Sequence, residues 1–298
     1  MKKNIQKLLL SEKIYYLEKD VRLMKRKEFL KKFATKKKRI ILSRLIKNII
    51  WQAYTRIKDG SENPIDGNIR TFWYLWVKPV MSHIQSDYKP KTDPYHTMLS
   101  AFTKMVMDLR LFNYSDFGFT DENWENRRIG KNNPEIIVFS EKRGWFRFLR
   151  EIHSEFDVSV LALGGTPSAL TSEYTATHIK KVLSSSKNPN QRILLIGIVD
   201  YDPSGYIISH SFQKQLSVFG LNHSDLITIV KPKHYTQEKI EMFKFQLPKR
   251  QKTKTKKWMI KTNGINGELY GLESESMPKS LIKKLISHII LKTTESKT

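Results

Sequence analysis

The chain has 298 residues, no cysteine, and 53 Lys and Arg against 29 Asp and Glu, which gives a formal net charge of +24. The lack of cysteine excludes disulfides, cysteine-ligated zinc and thiol catalysis, and it favours a reducing cytoplasm. The charge indicates a polyanionic partner, most commonly nucleic acid and less commonly an acidic membrane. Residues 1–60 carry 19 basic and 5 acidic residues. A general preference for surface lysine, the alternative explanation, would not concentrate the charge at one end.

The first part of the chain predicts helices with basic faces. Apolar residues recur three and four positions apart in "LEKDVRLMKRKEFLKKF" (17–33) and "RIILSRLIKNIIWQAYTRI" (39–57), so residues 1–60 are expected to be helical. A loop follows at 58–68, and further helices are predicted over 69–84 and 95–112. Such units fit a helix-turn-helix or winged-helix DNA-binding domain. Its candidate DNA contacts are Lys36, Lys37, Lys38, Arg39, Arg44, Lys47 and Lys78.

The second part of the chain predicts an α/β domain. The polar stretch 120–135 marks a boundary, which divides the chain into residues 1–125 and 126–298. Beyond it, "EIIVFS", "VSVLALGG", "RILLIGIVD" and "DLITIVKP" are apolar throughout and alternate with helical patterns. This alternation is typical of a parallel sheet covered by helices on both faces. A helix at 278–292 is expected to cover the sheet edge. The run "KRQKTKTKK" (249–257) is expected to be an exposed loop, either merely solvated or in contact with phosphates.

Three carboxylates close predicted strands of this domain. Glu141 follows "IIVFS", while Asp200 and Asp202 follow "LLIGIV". Ligands gather at the carboxyl ends of parallel strands, and side chains two residues apart on an extended segment point the same way. Carboxylate oxygens are the ligands that Mg²⁺ prefers, and Mg²⁺ binds phosphate oxygens. The pattern therefore predicts a Mg²⁺ site. An aspartate after a strand also serves as a helix N-cap or in a turn, which is the alternative for each residue alone.

The same residues carry a resemblance to a known family. A glutamate closing one strand and a D-x-D closing a later one resemble the Toprim fold. "VDYDPSG" (199–205) is similar to the D-x-D-P-x-G signature of the topoisomerase VI A subunit family, which includes the meiotic double-strand-break protein of eukaryotes. "LALGGTPSALTSEY" (161–174) resembles its Gly-x-Pro segment, and "YGLESESMP" (270–278) its C-terminal glutamate motif. The resemblance implies that Glu273 lies near the site, and Lys142 beside Glu141 is the other expected supporting residue.

The resemblance also implies a nucleophile. The family's tyrosine lies in a pattern like R-x-x-Y-Y, which "RTFWY" matches from Arg70 to Tyr74 with tryptophan at the penultimate place. It implies a Mg²⁺-dependent type IIB topoisomerase-like enzyme, in which Tyr74 cleaves double-stranded DNA by transesterification and Arg70 steadies the anion. It further implies a homodimer and a separate ATPase subunit, since this chain has no phosphate-binding loop of the G-x-x-x-x-G-K type.

Two departures and several alternatives stand beside this interpretation. The family's arginine after the Gly-x-Pro segment has no counterpart in "SALTSEY", and the spacing from Tyr74 to Glu141 is short, which suggests a reduced, stand-alone member. Tyr74 could instead be a core aromatic. The protein could instead be a Toprim nuclease that hydrolyses DNA without a covalent intermediate, or a non-catalytic DNA-binding protein. No apolar run reaches the length of a membrane helix, so a cytoplasmic, nucleoid-associated protein is expected.

Overall fold

The computed structural model describes residues 2–184, 192–248 and 252–295, and residue contacts divide it into two units after Glu122. The predicted boundary at 125/126 falls inside the short 3-10 helix Trp124–Asn126. The basic run 249–257 lies partly outside the described residues. Its described part, from Lys252 on, begins a helix rather than forming the expected loop.

The first unit is helical. Its α-helices are α1 (Lys2–Ser11), α2 (Arg26–Phe33), α3 (Leu42–Lys58), α4 (Ile69–Phe72), α5 (Lys78–Ile84) and α6 (Pro94–Thr103). A π-helical segment, Trp73–Val77, joins α4 to α5, and another, Lys104–Asp108, continues α6. Within residues 2–122, β pairing is limited to the isolated bridges Ala34 to Ile40 and Gly67 to Phe119.

The prediction of a continuous helix over 17–33 was wrong, because two buried amides of α3 bond to the backbone before α2 and keep it out of an α-helix. The Gln52 side chain accepts from the backbone N–H of Val21 at 2.8 Å and donates to the carbonyls of Leu17 and Lys19. Asn48 accepts from Tyr15 and donates to the carbonyl of residue 13 in the same manner. Backbone groups satisfied by these amides do not need helical partners. Within 17–33, only the short 3-10 helix Val21–Leu23 precedes the α-helix α2.

An aromatic core fills the rest of this unit. The Phe72 ring is fully buried and packs edge-on against Phe102, Phe117 and Phe119 at centroid distances of 4.9–6.2 Å. Edge-to-face packing of this kind matches the quadrupoles of the rings. These contacts fix the face that the helical segment around "TFWYLW" turns inward.

The second unit is a mixed α/β fold, as the alternating pattern predicts. Its main sheet contains β1 (Arg127–Arg128), β2 (Asn133–Ser140), β3 (Val158–Ala162), β4 (Ile193–Ile198) and β5 (Ser224–Thr228) in the order β1-β3-β2-β4-β5. Strands β2 to β5 pair in parallel, and β1 is an antiparallel edge strand. A two-stranded antiparallel pair, β6 (Lys244–Gln246) and β7 (Tyr270–Leu272), completes the described strands.

Helices cover both faces of the main sheet. The helices are α7 (Phe146–Phe156), α8 (Ala169–Ser184), α9 (Pro203–Val218), α10 (Gln237–Phe243), α11 (Lys252–Thr262) and α12 (Lys279–Glu295). One face packs on α7 and α12, with Val138 and Ile196 in the same core cluster as Ile286. On the other face, the Phe139 ring packs against Phe212 of α9 at 5.0 Å. The C-terminal helix α12 therefore covers a face of the sheet rather than its edge.

None of the helices in the described ranges is both long enough and apolar enough to cross a membrane.

Candidate metal centre

The predicted carboxylates lie where the chain changes direction across the sheet. From β2 the chain crosses to β3 on one side, and from β4 it crosses to β5 on the other, while β2 and β4 are direct neighbours. A crevice forms outside the carboxyl ends of the strands at such a switch point, and ligands of open α/β sheets bind there. Ser140 pairs with Ile198 at the end of the ladder, so Glu141 and Asp200 emerge side by side. The strand order therefore brings together groups that are 59 positions apart in the sequence.

Glu141 has a carboxylate oxygen that is buried without a hydrogen-bond partner. Its backbone N–H donates to the Ile198 carbonyl at 3.2 Å, which fixes its place beside β4. The unpartnered oxygen is Oε2. Burial, followed by the charges of Asp200 and Asp202, raises the pKa of Glu141 to about 7. A carboxylate oxygen that is buried and unpartnered among like charges is a group that a bound cation would stabilise.

The two aspartates are held by different backbone groups. Asp200 accepts from the backbone N–H of Ser274 at 2.7 Å, while Asp202 caps α9 by accepting from Gly205 at 2.7 Å. Asp202 thus has the N-cap role that is the alternative to metal binding. Burial is the largest influence on Asp202 and raises its pKa, and the charge of Asp200 adds to the increase.

The C-terminal glutamate motif (270–278) also lies at the candidate metal centre. Tyr201 and Leu272 form a two-way backbone bridge of 2.8 and 3.2 Å, which sets Glu273 beside the aspartates. The Tyr201 hydroxyl donates to the carbonyl of Gly264 at 2.8 Å, and burial raises its pKa. Tyr201 is therefore a packing residue of the centre and is poorly suited to attack a phosphate.

A lysine balances the negative charge of the centre. Lys142 Nζ lies 2.6 Å from Glu273, 2.7 Å from Glu275 and 3.3 Å from Asp200 Oδ2. Burial alone would lower the pKa of Lys142, but these three carboxylates raise it above its ordinary value. The ammonium group therefore bridges carboxylates from two separate segments. The sequence did not point to Glu275, because its role depends on how the segment after β7 folds back.

The donor set suits a hard cation such as Mg²⁺. Glu141, Asp200 and Asp202 supply only carboxylate oxygens, and the unpartnered Oε2 of Glu141 gives a ligand atom with no competing bond. Across the described part of the chain, however, no three His, Asp or Glu side chains are placed so that together they could hold a metal ion.

In the helical unit, Tyr74 faces solvent. Its side chain is 47% exposed, whereas Phe72 and Trp76, two residues on either side, are buried. It lies in the π-helical turn Trp73–Val77, a rare geometry that is frequent at functional sites. The core role considered for Tyr74 therefore falls to Phe72 and Trp76.

Two cations surround the Tyr74 ring. Lys78 Nζ lies 4.8 Å from the ring centroid and the Arg70 guanidinium carbon 6.0 Å from it. A hydrogen bond with the Tyr74 side chain raises the pKa of Arg70. Arg70 and Lys78 therefore both lie beside the Tyr74 side chain.

The predicted DNA contacts fall into two groups. Lys36 to Arg39 are exposed in the turn between α2 and α3, which the Ala34 to Ile40 bridge closes, and Lys78 is exposed beside Tyr74. Arg44 is partly buried. Lys47 donates to the Glu12 carboxylate at 2.6 Å, so it anchors the segment after α1 instead of being free for DNA. The exposed turn and Lys78 are thus the stronger candidates.

Comparison of the chain with protein-family models gave no match, and comparison with curated proteins gave none either. The resemblance to the topoisomerase VI A family therefore remains a prediction that depends on the motifs and the geometry of the centre.

Proposed function

We propose that this chain is a Mg²⁺-dependent DNA-cleaving protein of the topoisomerase VI A type, with a Toprim domain in its second unit. The observation that carries the proposal is the meeting of Glu141, Asp200 and Asp202 at the switch point of the sheet, with an unpartnered buried oxygen on Glu141. The net charge of +24 supports a polyanionic substrate. The exposed Tyr74 with two neighbouring cations supports a nucleophile outside the carboxylate centre.

The residues divide the chemistry between them. Glu141, Asp200 and Asp202 would hold the Mg²⁺ ion, and the bound ion would neutralise negative charge on the phosphate. Tyr74 loses its proton and its oxygen forms a bond to phosphorus, while the bond from phosphorus to a deoxyribose oxygen breaks and that oxygen takes up a proton. Arg70 and Lys78 stabilise the anionic phosphate during attack. The phosphotyrosyl product keeps the phosphodiester bond energy, which allows resealing.

The helical unit would bind the DNA. Its β pairing is limited to bridges in residues 2–122, which favours a helix-turn-helix arrangement over a winged helix with a sheet wing. The exposed turn Lys36 to Arg39 would contact phosphates. A homodimer, a separate ATPase subunit and association with the nucleoid follow only from the family resemblance.

Trapping of covalent complexes tests the proposal. Supercoiled DNA is incubated with the protein and Mg²⁺, with and without ATP, and the reaction is stopped with denaturant. We expect protein-linked DNA with Mg²⁺ and none with EDTA. Free DNA ends without any linked protein would contradict the transesterification mechanism.

A hydrolytic nuclease is the second candidate, because the carboxylate centre belongs to the α/β unit alone and hydrolysis requires no tyrosine. It predicts free 5′-phosphate ends that disappear in Asp200→Asn and persist in Tyr74→Phe. DNA binding without cleavage at any divalent metal would instead indicate a non-catalytic protein.

A further inference from the structure

A cavity of about 230 Å³ lies beside the candidate metal centre, at the carboxyl ends of β4 and β5. Asp200 and Asp202 line one part of it, and Lys231, which follows β5, lines another. Tyr206 and Trp258 supply aromatic walls from α9 and α11. A cavity of this size holds several water molecules, which leaves room for a small hydrated anion.

Lys231 is an unusual lysine within the described residues. Its side chain is partly buried, yet it has no carboxylate within ion-pair distance in the described ranges. Two of the other three parallel strands are followed by an acid at this edge, Glu141 after β2 and Asp200 after β4, whereas β5 is followed by Lys231. Burial, followed by the charge of Lys233, lowers the pKa of Lys231. A desolvated ammonium group without an anionic partner is unfavourable unless a ligand supplies the anion.

The remaining polar groups of the cavity are compatible with an oxyanion. Thr228 lines the cavity with a hydroxyl that can donate. The His210 ring also lines it, with Nδ1 bonded to the Tyr206 carbonyl at 2.8 Å, which leaves Nε2 for another partner. The His210 ring is therefore held by its own helix, and it lies against the Tyr206 ring at a centroid distance of 4.0 Å with the two planes tilted by 34°.

The cavity thus has carboxylates on one side and a cation on the other. A phosphate group suits this lining, because a metal ion held by Asp200 and Asp202 would bind phosphate oxygens and the ammonium group of Lys231 would donate to the same anion. An apolar ligand would leave Lys231 unpaired, and a second cation would be repelled by it. The same argument explains how phosphate could be bound without the arginine that the family carries after its Gly-x-Pro segment.

We propose that Lys231 binds a phosphate group in this cavity, directly beside the carboxylates of the metal centre. The proposal deepens the proposed function, on which it rests for the metal ion, by naming the residue that holds the substrate phosphate. The ligand would be inorganic phosphate, a phosphomonoester or a phosphodiester. The phosphate could therefore come from DNA or from a small molecule.

Binding measured by isothermal titration on the full chain with Mg²⁺ tests the proposal. The probes are inorganic phosphate and a thymidine dinucleotide with one phosphodiester. Lys231→Gln is compared with Lys233→Gln, a matched loss of charge at an exposed lysine two residues away. We expect Lys231→Gln to weaken binding of at least one probe about tenfold and Lys233→Gln less than about twofold. Lys231→Arg, which keeps the charge, should retain most of the affinity.

The outcomes are separable. Tighter binding of the dinucleotide identifies DNA as the source of the phosphate, and tighter binding of inorganic phosphate identifies a small molecule. Equal losses in Lys231→Gln and Lys233→Gln, with both variants folded by circular dichroism, would overturn the proposal. Covalent complexes that form equally in wild type and Lys231→Gln would leave the proposed function standing without this site. Lys231-dependent phosphate binding without any covalent complex would leave the site standing without the proposed function.

Discussion

The two units place their candidate reactive groups in opposite surroundings. In the helical unit, Tyr74 projects outward from a core that is closed by Phe72 and Trp76. In the α/β unit, Glu141 is drawn inward with a buried, unpartnered oxygen. The difference indicates that the exposed Tyr74 side chain contributes little to folding, whereas the ionised form of Glu141 opposes it. Substitution of Tyr74 should therefore leave the free energy of unfolding nearly unchanged, whereas substitution of Glu141 should raise it in the metal-free protein.

The largest effect is expected in the core of the helical unit. Phe72→Ala removes a fully buried ring in contact with Phe102, Phe117 and Phe119, and it should lower the free energy of unfolding by about 3–5 kcal/mol. Tyr74→Phe, two residues away, removes only an exposed hydroxyl and should change it by less than about 0.5 kcal/mol. Urea unfolding followed by tryptophan fluorescence measures both. Similar losses for the two variants would show that Tyr74 belongs to the core.

The next effect concerns metal binding. Asp200→Asn keeps an oxygen for the Ser274 N–H but removes a charge from the centre, so Mg²⁺ affinity should fall roughly 100-fold. Asp225→Asn is the matched control, because Asp225 is 48% exposed and pairs with Arg192 at the surface. Isothermal titration with Mg²⁺ measures both. Unchanged affinity in Asp200→Asn would mean that the ion does not bind at this centre.

In the metal-free protein, Glu141 should make the free energy of unfolding depend on pH. An acid whose pKa rises on folding binds its proton more tightly in the folded state, so its ionisation opposes folding. For Glu141 this penalty is absent below its ordinary pKa of 4.5, develops as the pH rises, and is complete above about 7. In EDTA, Glu141→Gln should raise the free energy of unfolding by about 1–2 kcal/mol at pH 8, allowing for solvent screening, and by nothing at pH 4.

With Mg²⁺ present, the wild type should instead be more stable than Glu141→Gln at pH 8, because the ion stabilises the wild-type carboxylate and not the amide. Chemical denaturation at the two pH values, with EDTA and with Mg²⁺, checks both parts. A stability difference that does not depend on pH would show that folding does not raise the pKa of Glu141.

The smallest effect should come from Lys142. Its ammonium group lies within hydrogen-bonding distance of Glu273 and Glu275 and near Asp200, so it competes with a metal ion for negative charge. Lys142→Met should therefore bind Mg²⁺ several-fold more tightly. Lys131→Met, an exposed lysine of the same unit, should have no effect in the same titration. Weaker Mg²⁺ binding in Lys142→Met would instead make Lys142 a structural support of the centre.

The sequence predicted the sheet well because four of its strands are continuous apolar runs, and buried parallel strands produce such runs. It missed β1 and the pair β6 and β7, since segments of two or three residues carry no periodic signal. It also placed a helix over 17–33, where the buried amides of Asn48 and Gln52 override local periodicity. Tertiary hydrogen bonds of this kind are invisible to a pattern of apolar spacing.

The candidate site divides in the same manner. Glu141, Asp200 and Asp202 could be named because each directly follows an apolar run and because the D-x-D-P-x-G motif is specific. Glu275 and Lys231 could not, since their placement depends on strand order and on how the segment after β7 returns to the sheet. The exposure of Tyr74 also required the structure, because a run of aromatic residues does not reveal which of them the core takes.

The central claim is that Tyr74 attacks DNA, and its most direct test pairs Tyr74→Phe with Tyr16→Phe. Tyr16 is a 75% exposed tyrosine of the same unit, so the two variants lose the same hydroxyl from the same kind of surface. Covalent complexes trapped on supercoiled DNA with Mg²⁺ should disappear in Tyr74→Phe and persist at the wild-type level in Tyr16→Phe. Covalent complexes that survive in Tyr74→Phe would contradict the assignment of Tyr74 as the nucleophile.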